Sequence, residues 1–264
     1  AGPALGGVVA QHFGLAAPLL FYGAGLLLAT VIAWFVMAGE ERGTATERRT
    51  PLEAVRMAAP LFRDKRYLVA LLATGVGWWT VSGPAQVVGV VFARDQLHLS
   101  KPQIGVALTL LSVGELLILL VAGRLADRYG RRAVVVPALV ASALATAAIG
   151  GTSNSPIAFY AALMVIGGSI AAGATAAGGL LADSIPPGGS GAAVGLNQMA
   201  GDLGYLLSPA AVGALAEATS FATAYVVAAI PAVAVLGVAL SLPRDRRRRQ
   251  SAAEVPVESA TPVA

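Results

Sequence analysis

Two acidic residues lie where a carboxylate is chemically unusual, in the middle of long apolar runs. Glu115 is the one ionised residue between Pro102 and Gly123, and Asp202 lies about eleven residues into the run Gly191–Ala216. A charge at the centre of a bilayer costs about 2.5–3.5 kcal/mol on insertion scales, so each carboxylate requires a reason. A carboxyl group in hydrocarbon can hold a proton and release it when water arrives. Glu115 and Asp202 are therefore candidate proton-coupling residues.

A structural role competes with this chemistry at Asp202. Gly201 and Gly204 beside it would let a neighbouring helix approach closely enough for a hydrogen bond to the carboxylate. At Glu115 we favour a functional role, because an alanine or serine would pack as well without the cost of desolvation.

Two tryptophans lie at an unusual depth. Trp78 and Trp79 are about a dozen residues into the run Tyr67–Phe92, deeper than the interfacial position that is ordinary for tryptophan. With Gln86 they could form an aromatic wall for an amphiphilic or cationic ligand, since ring faces attract cations. Core packing of at least one indole is the alternative. Two amides are further candidates, for substrate binding or for clamping helices: Asn197 and Gln198.

These residues belong to a chain made of long apolar runs. Of its 264 residues, 56% are hydrophobic and 12% are charged, against about 25% charged in a soluble domain. The sequence pI of 9.8 does not indicate nucleic-acid binding, because the basic residues separate apolar runs and do not cover one polar face. A spanning helix needs about 20 apolar residues. We therefore predict an all-α protein of the lipid bilayer, with a stub (Ala1–Gln11) and seven full spans: Leu15–Gly39, Tyr67–Phe92, Pro102–Gly123, Ala133–Gly150, Pro156–Ala182, Gly191–Ala216 and Phe221–Leu242.

The basic residues of the connections predict the orientation. Sixteen of the 18 Lys and Arg fall in the loop 40–66, the hairpin 124–132 and the tail after Pro243, and the other two are Arg94 and Lys101. The positive-inside rule places the first three segments in the cytoplasm. We expect a multi-pass protein of the cell (plasma or inner) membrane with a cytoplasmic C-terminus.

Small residues of the run Pro156–Ala182 predict close helix packing. The pairs Ser169-x-x-x-Gly173 and Ala174-x-x-x-Gly178 have the spacing that lets two backbones approach each other.

The densest charge in the sequence is the segment Gly123-Arg-Leu-Ala-Asp127-Arg128-Tyr-Gly130-Arg131-Arg132. Such a segment cannot lie in hydrocarbon, so the chain must leave the membrane and turn back in a tight hairpin. Its spacing resembles the loop motif of the major facilitator superfamily. A solvated turn is the simple alternative. The resemblance implies a cytoplasmic gate made of Gly123, Asp127, Arg128, Gly130, Arg131 and Arg132, in which arginine partners or a helix N-terminus hold Asp127.

Two further features are similar to that family. Gly2-Pro3-x-x-Gly6-Gly7 resembles the end of the fifth-span motif of its proton-coupled antiporters. Gly2-Pro3-Ala4 also matches Ser208-Pro209-Ala210 at an offset of 206 residues, and such repeats are typical of secondary transporters.

The resemblance implies a helical bundle running from the end of the fifth span to the twelfth. Residues 1–39 would end an N-terminal half, 40–66 form a cytoplasmic linker, 67–243 a complete six-helix C-terminal half, and 244–264 a disordered cytoplasmic tail. Because the sequence opens inside an apolar run, we expect a fragment whose N-terminal half is its missing partner.

The expected function is secondary active transport of a small-molecule substrate by alternating access, and not an enzymatic activity. Proton-coupled efflux of amphiphilic compounds is favoured, since no Arg or Lys falls within a predicted span. A metabolite uptake permease and a non-transporting remnant are the alternatives. We expect a monomer without cofactor, metal or nucleic acid, driven by a proton gradient.

Overall fold

The computed structural model describes residues 13–14, 16–37, 59–185 and 190–243. These residues are mostly helical, and none of them lies in a strand. Each of its seven long helices is apolar enough to cross a membrane. This confirms the predicted all-α membrane fold. The stub, the antiporter-like motif Gly2, Pro3, Gly6 and Gly7, most of the linker and the tail lie outside the described residues. The helices are α1 (Ala16–Met37), α2 (Lys65–Asp95), α3 (Lys101–Tyr129), α4 (Arg132–Ile149), α5 (Pro156–Ser184), α6 (Ser190–Ala218) and α7 (Phe221–Leu240).

Polar residues cap the starts of several helices. The Asp64 carboxylate accepts a hydrogen bond from the backbone N–H of Arg66 at 2.8 Å, at the start of α2. The Ser155 and Ser220 hydroxyls accept backbone hydrogen bonds in the same way at the starts of α5 and α7. Such caps satisfy N–H groups that have no partner within the helix.

Helices α2 to α7 pack into one bundle with two buried apolar clusters. A fully buried tyrosine belongs to each cluster. The Tyr67 hydroxyl donates to the carbonyl of Ala193 at 3.1 Å, and the Tyr225 hydroxyl donates to the carbonyl of Pro84 at 3.2 Å. Helix α1 differs from the other six, because none of its apolar window, Leu19–Val36, is buried.

Helices α3 and α5 make one of the two most extensive contacts between helices of the bundle. Their backbones touch, because a Cβ atom at Gly167 would overlap the carbonyl of Leu111, and one at Gly114 would overlap the carbonyl of Met164. The glycines of the two pairs predicted on α5, Gly173 and Gly178, have no such contact. Gly178 faces open space, and Gly173 has only the Ala138 Cβ nearby, at 3.9 Å from where its own Cβ would be. The glycines of the two predicted pairs therefore do not make the close contact with α3, which is made by Gly167 and Gly168 of the same run.

The charged hairpin is shorter than the sequence predicts. Helix α3 continues through Gly123 to Tyr129 and α4 begins at Arg132, so only Gly130 and Arg131 connect them. Gly130 has a φ of +91°, which favours glycine, whereas Gly123 is helical. The expected start of the turn at Gly123 was wrong, because arginine side chains in the last helical turns can extend to the polar surface. Positive charge is also favourable at a helix C-terminus.

Candidate functional site

A cavity of about 470 Å³ lies among helices α2 to α6. Most of its lining consists of small or apolar residues. The polar and aromatic side chains that line it are Thr74, Trp78, Gln86, Glu115, Ser142, Ser169 and Asn197. Four of the candidates from the sequence therefore come together: Trp78, Gln86, Glu115 and Asn197.

Glu115 lies at the centre of helix α3, 14 residues from either end of a 29-residue helix. At about 1.5 Å per residue, each end is about 21 Å away, so the carboxylate lies near the middle of a hydrocarbon core about 30 Å thick. Within the described residues it has no hydrogen-bond or ion-pair partner, and the cavity lining contains no lysine or arginine. The carboxylate is available to a proton or to a bound cation.

Helix α2 brings Trp78 and Gln86 to the cavity. Trp78 lies just before a π-helical segment, Val81–Val87, and Gln86 lies within it. Pro84 lies in this segment, and a proline removes one backbone donor and disturbs the regular helical ladder. The hydroxyl of Ser82 donates to the carbonyl of Tyr205 at 2.7 Å, which attaches the segment to α6. The distortion is thus held in place by a neighbouring helix.

The two tryptophans have different surroundings. Trp78 lines the cavity and packs edge-on against Tyr205, with ring centroids 5.8 Å apart. Trp79 lies away from the cavity lining, where its indole N–H donates to the carbonyl of Ala228 at 3.1 Å. The carbonyl of Trp79 also accepts a hydrogen bond from Ser208 at 2.7 Å. Trp79 joins α2 to α6 and α7, which is the packing role that the sequence left open for one indole.

Helix α6 separates the remaining candidates by their direction around the helix. Asn197 lines the cavity, and its Oδ1 is buried without a hydrogen-bond partner among the described residues. Gln198 and Asp202 are exposed elsewhere on α6, where the Gln198 amide donates to the Asp202 carboxylate at 3.2 Å. Gly201 packs against the Trp78 ring, and a neighbour in sequence points about 100° away around an α-helix. The structure therefore brings neither Gln198 nor Asp202 to the cavity.

Three hydroxyl-bearing residues of the lining were not candidates in the sequence: Thr74, Ser142 and Ser169. Ser142 lies 3.5 Å from the hydroxyl of Thr80, and Ser169 donates to the carbonyl of Ile166 at 2.7 Å. Hydroxyl groups in membrane spans commonly form hydrogen bonds of this kind. Their position along the span therefore did not indicate that they line a cavity.

Arg131 connects the charged hairpin to helix α5. Its guanidinium lies 3.0 Å from the carboxylate of Asp127 and 3.8 Å from that of Asp183. Gly179 permits this, because a Cβ there would overlap the guanidinium. The sequence contained one signal for this ion pair, an acidic residue at the end of an apolar run on the same side as the arginine hairpin.

The other residues of the hairpin have separate contacts. Arg132 donates to the carbonyl of Leu242, just beyond α7. The Arg128 guanidinium lies over the ring of Tyr129, 5.4 Å from its centroid. The hairpin is therefore attached to α5 by Arg131 and to the end of α7 by Arg132.

A bundle of apolar helices around a cavity with a mid-membrane carboxylate is the architecture of a multi-pass membrane transporter. Comparison with known families agrees with this architecture, because residues 82–263 match the family model of the Major Facilitator Superfamily. The match covers more than half of the chain, and the protein belongs to that family. It is therefore a secondary transporter. A search of the curated proteins finds no match.

Proposed function

We propose that the protein exports amphiphilic small molecules, including cationic ones, in exchange for protons. The observation that carries this proposal is the position of Glu115, a carboxylate without a partner among the described residues, in a mainly apolar cavity lined also by Trp78. The lining offers a lipophilic cargo an apolar surface and an aromatic ring. The lining that the structure describes offers an anion no positive charge.

The chemistry of exchange follows from competition at Glu115. An ionised carboxylate attracts a cationic cargo, and the face of Trp78 can add about 0.5–2 kcal/mol of cation–π attraction. A proton that binds the same carboxylate removes its charge and with it most of the attraction for the cargo. Proton and cargo would then occupy the cavity alternately, which is the requirement for coupled exchange.

The ion pairs of Arg131 support a gate at the arginine side of the bundle. They join the hairpin to α5, which lines the cavity, so that opening this side would require the Arg131–Asp183 contact to break. The pair is partly exposed to solvent, with side-chain exposures of 22% and 45%. Such pairs contribute about 0–1 kcal/mol, which is small enough for a contact that forms and breaks in every cycle.

Transport in liposomes tests the proposal. The protein is reconstituted, a pH gradient is imposed, and the movement of a fluorescent lipophilic cation is followed. We expect the Glu115→Gln variant, which keeps the shape of the side chain and removes its titration, to lose at least about tenfold of the pH-driven rate. Asp95→Asn is the control, because Asp95 lies at the exposed end of α2 and outside the cavity.

A binding measurement tests recognition of the cargo separately from its proton-driven transport. The protein has three tryptophans, of which Trp78 lines the cavity, so quenching of its fluorescence reports a bound cation. We expect the cation to quench the parent protein and not Trp78→Phe, and to bind less tightly at low pH. Equal transport by the parent and Glu115→Gln would contradict the proposal, as would binding that is independent of pH.

A further inference from the structure

A second cavity, of about 660 Å³, opens between helices α3, α4 and α5. We call it the lateral groove. Its larger lining side chains are almost all apolar and include Leu117, Ile118, Leu125, Pro137, Met164 and Val165. Several of them are exposed, among them Leu117 at 49% and Val165 at 48%. The groove is thus an apolar depression open to the outside of the bundle.

The geometry of the three helices creates this space. The backbones of α3 and α5 touch at Gly114 and Gly168, where a Cβ on either glycine would clash with the other helix. Three of the five lining residues from α4 are alanines, Ala133, Ala138 and Ala141. The result is a groove that is narrow at Gly114 and extends towards the charged end of the bundle.

The groove is at least as long as one leaflet of a bilayer is thick. Its lining on α3 extends from Gly114 to Tyr129, about 22 Å at about 1.5 Å per residue. The hydrocarbon core is about 30 Å thick, so that one leaflet contributes about 15 Å. An extended acyl chain fits such a groove in length and in chemistry, because the apolar lining offers almost no hydrogen-bonding groups.

Positive charge lies at the hairpin end of the groove. Arg124 and Arg128 follow Leu117 by seven and eleven residues, so the three side chains share one side of α3. Both arginines are exposed, and neither has an acidic partner in the described part of the chain. The Arg128 guanidinium lies over the ring of Tyr129, which itself lines the groove. The free positive charge is therefore adjacent to the end of the apolar groove.

We propose that the lateral groove binds an anionic phospholipid from the leaflet on the arginine side. One acyl chain lies along Leu117, Ile118 and Leu125, and the headgroup phosphate binds between Arg124 and Arg128. A peptide would leave its backbone groups without partners along this lining, whereas a phospholipid needs charge complementarity at one end alone. The groove shares Ala138 and Ser169 with the first cavity, so the bound chain lies directly behind the cavity wall. The proposal does not depend on what the protein transports.

Native mass spectrometry of the full chain released from micelles tests the proposal. The protein is titrated with phosphatidylglycerol and, separately, with phosphatidylcholine of the same acyl chains. We expect preferential retention of phosphatidylglycerol. The double variant Arg124→Gln/Arg128→Gln should bind it about 30-fold more weakly, equivalent to about 2 kcal/mol for two arginines near a membrane surface. Arg94→Gln is the control, because this exposed arginine lies at the opposite end of the bundle.

A second variant tests the groove itself. Ala161→Phe fills an exposed position of its lining, and it should weaken the binding of phosphatidylglycerol at least about fivefold by removing volume for the acyl chain. Ala210→Phe makes the same change at an exposed position of α6, outside the groove, and should leave binding unchanged. Equal retention of the two lipids by the parent would overturn the proposal. Unchanged binding in the arginine double variant or in Ala161→Phe would do so as well.

Discussion

The contact between α3 and α5 predicts a large effect of one methyl group. In Gly167→Ala the new Cβ would overlap the carbonyl of Leu111 and lie 3.2 Å from the backbone nitrogen of Glu115. These atoms belong to a backbone, so no flexible side chain can move aside and the two helices must separate. Overpacking of this kind costs about 1–3 kcal/mol. The replacement of a helical glycine by alanine returns up to about 1 kcal/mol. We expect the free energy of unfolding to fall by about 1 kcal/mol.

The same helix supplies a matched control. A Cβ at Gly178 has no atom within 4 Å, so Gly178→Ala should gain up to about 1 kcal/mol from helix propensity alone. The helix-propensity gain is common to both variants, so they should differ by the overpacking cost of about 2 kcal/mol. Unfolding by denaturing detergent, followed by circular dichroism, measures this difference. The reasoning would be refuted if Gly167→Ala proved as stable as Gly178→Ala. A shift of α3 would also move Glu115, so the stability loss should be accompanied by weaker binding of the lipophilic cation.

Two smaller predictions concern single polar contacts. The buried hydroxyl of Tyr225 donates to the carbonyl of Pro84 at 3.2 Å, so Tyr225→Phe should lower the free energy of unfolding by about 1 kcal/mol; no loss in the same detergent titration would show that the bond contributes nothing. Asp183→Asn removes an ion pair to Arg131 at 3.8 Å with both side chains partly exposed, so we expect it to cost less than about 1 kcal/mol. If the pair closes a gate, this variant should nevertheless change the transport rate, and an unchanged rate in liposomes would argue against the gate.

The spans could be predicted because hydropathy shows how long each apolar run is, and the thickness of the bilayer sets the length that a spanning run needs. Depth could be predicted for the same reason, and Glu115 and Trp78 lie in the cavity wall as a mid-span position suggested. The direction in which a side chain points around its helix could not be predicted. Asn197 and Gln198 are neighbours in sequence, yet the first lines the cavity and the second is exposed. Trp78 and Trp79 divide in the same way. A one-residue step rotates a side chain by about 100°, and the apolar faces of membrane helices carry too little contrast with lipid to reveal which side is buried.

The small residues of α5 were equally hard to interpret from sequence, because they serve different purposes. Gly167 allows contact with the backbone of α3, Gly178 lines the cavity, and Gly179 makes room for Arg131. From Gly167 to Gly179 is about 18 Å of helix at about 1.5 Å per residue. One rigid helix thus contacts both the segment that carries Glu115 and the arginine of the hairpin. A displacement of α5 that breaks the Arg131–Asp183 pair must also press on or release α3 at Gly167, since backbones in contact cannot absorb the shift through side chains. If Glu115 exchanges protons as proposed, helix α5 is therefore the element that would couple this exchange to opening at the arginine side.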